Sequence, residues 1–449
     1  MTAPTLESLT HQLLDAAKKA GAEAADAMAV DGTALSIDVR KGKLEQAERS
    51  EGVEIGLRVL IGKRQAVVSA SDLSARTIAD MAERAVAMAR EAPEDATLGL
   101  ADPTELARGW DLAALELCDV SPEPDPAALE ADARRAEAAA QSVAGVTQID
   151  SASASYSRRS VHLAATNGFS GGYARSSRAI SAVAISGTGL GMERDWAAES
   201  RTFQADLPDA DVIGRLAGER AVARHGARKP KTGAYPVIYD ERVASGLVGH
   251  VLAAINGSAI VRGASWLRDA LGEEILPRGL SIVEDPSRPR ISASRPFDGE
   301  GLAPQRRAIV EDGVLTGWTL DLGTARKLGL ASTGSAVRGP GSSPAPGVSN
   351  IALTQGERPR EALIAEMGTG LLVTSLIGAS INPTTGDYSR GASGFWIEGG
   401  QIAYPVNECT LAGNLRDMMR RITPANDARA HLSYVVPSLL VEGLMLAGE

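Results

Sequence analysis

The segment Tyr235–Ser258, YPVIYDERVASGLVGHVLAAINGS, restricts this chain more than any other: a short apolar strand runs directly into one fully punctuated helix. Asp240 stands at the N-cap, Glu241 puts negative charge at the positive end of the helix dipole, and Asn256-Gly257 predicts a left-handed stop. At about 100° per residue, Val243, Leu247, Val248, Val251, Leu252 and Ile255 share one half of the helical wheel. Ser245, Gly246, Gly249 and Ala253 share the other. One face therefore requires a core, and the opposite face is nearly bare. Each interior glycine costs up to about 1 kcal/mol relative to alanine, and its use is to let something approach the backbone closely. His250 stands at the margin between the two faces.

Around this unit the chain reads as mixed structure. Leu6, Leu9, Leu13 and Ala17 recur at helical spacing up to Gly21 and predict a first helix. The runs AADAMAV, TALSIDVR, VEIGLRVLI and QAVVSAS then predict an antiparallel meander with turns at Asp31-Gly32 and Gly62-Lys63. Ser71-Asp72 is expected to cap a helix reaching Arg90, with Ile78, Met81, Ala85 and Met88 on its buried face. DVSPEPDPAALE, from Asp119, reads as a linker into a helix over Ala127–Ser142. Alternation from Val146 to Phe203 predicts strands with one wet face, and a helix over Asp209–Arg224 precedes a hinge at ARKPKTGAYP. Beyond the Asp240 helix come short strands separated by Gly, Pro and Asn, with Thr333–Asn350 as a long mobile loop able to gate a cavity.

The bulk numbers remove several function classes. A chain of 449 residues divides into two or three domains. The net charge of -10, with no basic cluster interleaved with aromatics, excludes a phosphate-backbone ligand. No basic-then-apolar leader and no run of about 18 apolar residues is present, so a cytoplasmic protein without membrane contact is expected. Cys118 and Cys409 read as buried thiols. His162 reads as a packed or surface residue, Asp298 and Glu300 in PFDGEG as a polar turn, and Trp266, Trp318 and Trp396 as core or interface anchors. The cluster Gly386–Gly391 lacks the spacing and lysine of a phosphate loop. Its Asp387, Tyr388 and Arg390, with Gly249, are candidates for a channel wall or an interface.

These segments resemble the TldD/PmbA family. The likeness runs through VRKGKLEQAERSEGVEIGLRVLIGKRQA, the Asp240 helix, GTGLLVTSLIGASINPTTGDYSRGASGFWIEGGQIAYPVNE and LAGNLRDM, the last two resembling the PmbA (TldE) branch. The resemblance implies an α+β fold, with N-terminal helices and antiparallel sheets followed by a largely β C-terminal domain. It divides the chain into residues 1–118, a central segment 119–226 packed with them, and residues 232–449 carrying a degenerate metal-site helix at 240–256. In the catalytic TldD branch this helix carries His-Glu-x-x-x-His; the matching residues here are Ser245, Gly246, Leu247, Val248, Gly249 and His250. That branch also takes a cysteine ligand near its C-terminus, and the matching position here is Tyr434. Serine is a poor zinc ligand, and glycine removes the base that would deprotonate a bound water.

The resemblance therefore implies a non-catalytic subunit that binds no zinc itself, pairs with a zinc-bearing TldD-like subunit (or with itself when alone), and receives unfolded peptide. Two alternatives stand beside it. One is a self-sufficient homodimeric metallopeptidase with an atypical site on His250 and carboxylates such as Glu241. The other is a modulator of DNA gyrase acting by protein contact.

Overall fold

The computed structural model describes residues 4–449. Helix α1 (Leu6–Ala20) begins where Thr5 accepts from the Ser8 N–H at 3.1 Å and ends where Gly21 turns left-handed at φ 101°. Three antiparallel strands follow, β1 (Ala24–Arg40), β2 (Lys43–Ile61) and β3 (Arg64–Ala70), then helix α2 (Ala75–Glu91) and the single turn α3 (Leu112–Leu115). The central segment contributes α4 (Pro126–Gln141), β4 (Val146–Ala165), β5 (Ser170–Ser186), β6 (Glu193–Arg201) and α5 (Ala210–Ala223). All six strands form one sheet in the order β3-β2-β1-β4-β5-β6, so the stretches on either side of the Asp119 linker share one hydrogen-bond ladder.

Side chains alternate across that sheet. Ala25, Ala27 and Ala29 of β1 face α1 and α2, and farther along Leu35, Ile37 and Val39 face α4 and α5. Helices α1, α2, α4 and α5 thus cover one face of the sheet. Met28 and Val30 point the other way, where Phe169 and Phe297 join them in a second core against the C-terminal domain. Helices α4 and α5 approach so closely that a Cβ on Gly214 would lie 2.0 Å from the Ala136 carbonyl oxygen.

The C-terminal domain starts with β7 (Gly233–Tyr239), α6 (Glu241–Ala254) and α7 (Gly257–Val261). Its remaining strands are β8 (Ile282–Glu284), β9 (Arg307–Glu311), β10 (Val314–Leu315), β11 (Ala336–Val337), β12 (Ala345–Pro346), β13 (Ile351–Leu353), β14 (Gly370–Ile381), β15 (Asp387–Glu398), β16 (Gln401–Asn414), β17 (Ile422–Pro424), β18 (Tyr434–Val435) and β19 (Leu439–Ala447). The main sheet runs β16-β15-β14-β7-β19-β17, and a further pairing of β16 with β19 closes five of these strands into a ring. Buried Leu247, Val248, Val251 and Leu252 of α6 pack into this domain's core with Trp266, Trp318 and Trp396. The architecture is α+β, with the helices concentrated before a largely β C-terminal domain.

Several local expectations are corrected. Asp31-Gly32 is no turn: β1 runs through it, paired on both sides, and the chain reverses at Lys41-Gly42. Helix α2 is capped three residues later than expected, by Ser74, whose hydroxyl accepts from the Thr77 N–H at 3.2 Å. Met88 is exposed, and Ala82, Val86 and Ala89 take the buried places. Asn256 is not left-handed: at φ -63° it ends α6 by capping α7, its side chain accepting from the Ser258 N–H. Cys118 is only half-buried, whereas Cys409 lies in the core.

The segment Thr333–Asn350 is fastened, not loose. It contains the β11–β12 hairpin, and its Ser335, Ala336, Ser349 and Asn350 are buried. The Arg338 side chain is fully buried and pairs with Asp26 of β1, which also holds Arg58 of β2. Asp298 and Glu300 lie beneath this segment and do not form a solvated turn. Asp298 accepts from the Glu300, Leu302 and Ala336 N–H groups at 2.9, 2.9 and 3.0 Å. Burial raises its carboxyl, and burial with the neighbouring Asp298 charge pushes Glu300 up to about 8.

Candidate functional site

Helix α6 is aimed by its N-cap residue. Asp240 caps it, accepting from the Arg242 N–H at 3.2 Å, and its carboxylate also holds the Arg242 and Arg360 guanidiniums at 3.0 and 2.6 Å. The buried half of the helix is the one the periodicity indicated, with Ala244 added and Val243 only partly covered. On the other half, a Cβ built on Gly246 or Gly249 would meet nothing within 4 Å. The bare stripe is open space over the helix backbone.

His250 closes this stripe. Its ring stands edge-on to Tyr388, with centroids 5.9 Å apart and planes at 73°. The Tyr388 hydroxyl lies 3.5 Å from that of Tyr239, the residue preceding the helix cap. Tyr388 and Arg390 share one face of β15, two residues apart, and Arg390 donates through Nε to the Gly378 carbonyl at 2.7 Å. Burial, then the Arg390 charge, lowers the His250 pKa from its ordinary value. Burial likewise raises both tyrosine hydroxyls. The site presents a neutral imidazole above two protonated phenols.

Of the residues singled out from the sequence, His250, Tyr388 and Arg390 come together beside Gly246 and Gly249. Asp387 does not join them; it lies on the opposite face of β15 in a turn network, accepting from Thr385 Oγ1 at 2.6 Å and Asn414 Nδ2 at 3.1 Å. Tyr434 sits on β18 beside β13, half-buried, its hydroxyl raised by burial and by Glu284. Glu241 is engaged by Arg429 at 2.8 Å, and nine residues of helix, about 13 Å, separate it from His250. No single ion takes both. Tyr239 was missed by sequence reading, although its place directly before the Asp240 cap made it the last residue of the strand under the helix.

Models of the PmbA/TldA metallopeptidase match this chain as domain 1 over residues 25–89, the central domain over 119–224 and the C-terminal domain over 232–448. Metalloprotease PmbA of Escherichia coli O157:H7 is 37% identical over 421 residues, 93% of this chain and 90% of that protein. The chain belongs to the PmbA/TldD family. A Metalloprotease PmbA homolog of Haemophilus influenzae is 35% identical over 97% of this chain and 94% of its own. Among solved structures, a protein of Bacteroides thetaiotaomicron described as a modulator of DNA gyrase superposes with TM-score 0.91 at 27% identity, covering 100% of both chains. TldE from Thermococcus kodakarensis shares the fold, with TM-score 0.86 at 19% identity over 98% of this chain and 99% of that one.

The family is described as metallopeptidases, so the fit of its zinc to this helix is a chemical question. The residues here do not fit it. By the resemblance, Ser245 and Gly246 stand at the positions of the first imidazole and the base and Tyr434 at that of the cysteine, and none of the three supplies an imidazole, a carboxylate or a thiolate. Among the described residues no three His, Cys, Asp or Glu side chains are grouped to hold a metal. One imidazole cannot replace the water shell of a divalent ion.

Proposed function

We propose that this chain is the non-catalytic, TldE-like subunit of a metallopeptidase assembly whose zinc is carried by a TldD-like partner. In this reading it works in the cytoplasm, lends walls to a chamber admitting unfolded peptide, and contacts neither nucleic acid nor membrane. Alone it would form a homodimer. The observation that carries the reading is the α6 site itself: a frame of cap, core face and imidazole is built around Ser245 and Gly246, where by the resemblance a peptidase of this family needs a ligand and a base.

Co-expression with a TldD-like protein is the test. We expect a hetero-oligomer by native mass, zinc in proportion to the partner only, and cleavage of an unstructured peptide only when both chains are present. Stoichiometric zinc in this chain purified alone, or peptide cleavage by it alone, would remove the reading. The gyrase-modulator description of the similar structure supplies the rival outcome. Capture of gyrase in place of a TldD-like protein would favour it, and with a net charge of -10 the contact would be to protein.

A further inference from the structure

A cavity of about 500 Å³ opens between the central segment and the C-terminal domain, at the N-terminal end of α6. This size suits a small ligand or the end of a peptide. Its walls include Trp196, Val212 and Leu216, large apolar side chains left 51%, 58% and 37% exposed. Three guanidiniums line it as well, those of Arg220, Arg242 and Arg429.

Two of the three are already neutralised. Arg242 reaches Asp195 at 3.2 Å and Asp240 at 3.0 Å, and Arg429 reaches Glu241 at 2.8 Å and Glu199 at 3.1 Å. Those carboxylates are further committed: Asp195 to Arg224, Asp240 to Arg360, and Glu199 to Arg201 and His431. Arg220 differs. It donates to the Trp196 carbonyl at 3.0 Å, and among the described residues no carboxylate lies within ion-pair distance of it. A half-buried cation against apolar walls has lost water, and Asp195, Asp240 and Glu241 act on it only from beyond ion-pair distance while Arg242 opposes it, so a carboxylate placed in direct contact recovers part of that cost.

We propose that this cavity holds the C-terminal residue of a peptide, with its carboxylate on Arg220 and an apolar side chain against Trp196, Val212 and Leu216. The last residue of a peptide joins those two groups at a single carbon, which matches one free cation set in an apolar wall. The inference rests on the peptide-handling reading above and deepens it. Arg242, Gly246, Gly249 and Ala253 recur at helical spacing, so the bare stripe of α6 starts at the rim of this cavity. From Arg242 to His250 is about 12 Å along the helix, the reach of roughly four extended residues. The preceding residues of the peptide then lie along the open backbone at Gly246 and Gly249.

The full chain is titrated, by fluorescence anisotropy, with a short labelled peptide ending in Leu-Phe, once as the free acid and once as the C-terminal amide. The acid is expected to bind about tenfold more tightly or better. Arg220→Met should erase the difference, Arg220→Lys should retain part of it, and Val212→Asp, on an exposed lip away from the core, should weaken both peptides. Equal affinity of acid and amide overturns the proposal. So does an acid preference that survives Arg220→Met. The titration uses this chain alone, so failure to assemble with a TldD-like protein would count against the subunit reading and leave this result standing.

Discussion

At His250 burial, and after it the Arg390 charge, favours the neutral imidazole. Its folded pKa lies below the ordinary value near 6.5, so its contribution to stability is present above about pH 6.5 and is lost as pH falls through the folded value. Arg390→Ala should raise the midpoint followed by the ring-proton shift in NMR, and His250→Gln should flatten the acid limb of stability against pH. Glu300 works in the opposite sense. Its folded value of about 8 exceeds its unfolded value, so the fold prefers the protonated group; stability is full below about pH 4.5 and is lost as pH rises toward 8. Glu300→Gln keeps an acceptor for the Leu322 N–H, now 2.9 Å from the carboxylate. The variant should be more stable than the parent at pH 8 by on the order of 1 kcal/mol, with the gap closing toward pH 5 in urea titrations. Nothing in PFDGEG announces this burial, because the roof over it comes from residues some forty positions on, as the Asp298–Ala336 bond shows.

At the scale of elements, segment 333–350 and strand β2 meet without clearance. A Cβ on Gly56 would lie 1.9 Å from the Pro340 carbonyl oxygen, whereas one on Gly52, four residues earlier in the same strand, would meet nothing. Gly56→Ala should cost about 1–3 kcal/mol or more and expose the segment to protease near Gly341, with Gly52→Ala far milder on both measures. Helices were legible where the chain punctuates itself, at Gly21 and Asp240; Thr5 and Asp125 with Pro126 act the same way through neighbours a few residues away but were not read as caps. Strand limits were less so. Asp31-Gly32 carries a turn signal, and the chain stays extended because Gly52 on one side and Arg159 on the other pair with Gly32. The grouping of His250 with Tyr388 was half visible: both residues stood out, and only the ladder of β15 showed that Asp387 faces away.

For the whole molecule, the pairing of β1 with β4 makes the first 226 residues one sheet, although the family models divide them. A fragment of residues 1–226 should unfold in urea as one transition by both fluorescence and circular dichroism, and residues 1–118 alone should aggregate through the unpaired edge of β1. Two transitions from the longer fragment would show that the shared ladder does not couple its halves. The family resemblance made the order of domains readable; the seams between them were not, since Asp26 and Arg338 meet across 312 positions of sequence. One seam sets a timetable. Strand β19 lies between β7, the first strand of its domain, and β17, while also closing the ring against β16. During synthesis the domain must therefore wait, its opening strand without a neighbour on that side, until Ala447 has left the ribosome. Any truncation that removes β19 takes out an interior stave of the ring, and the barrel cannot close around the gap.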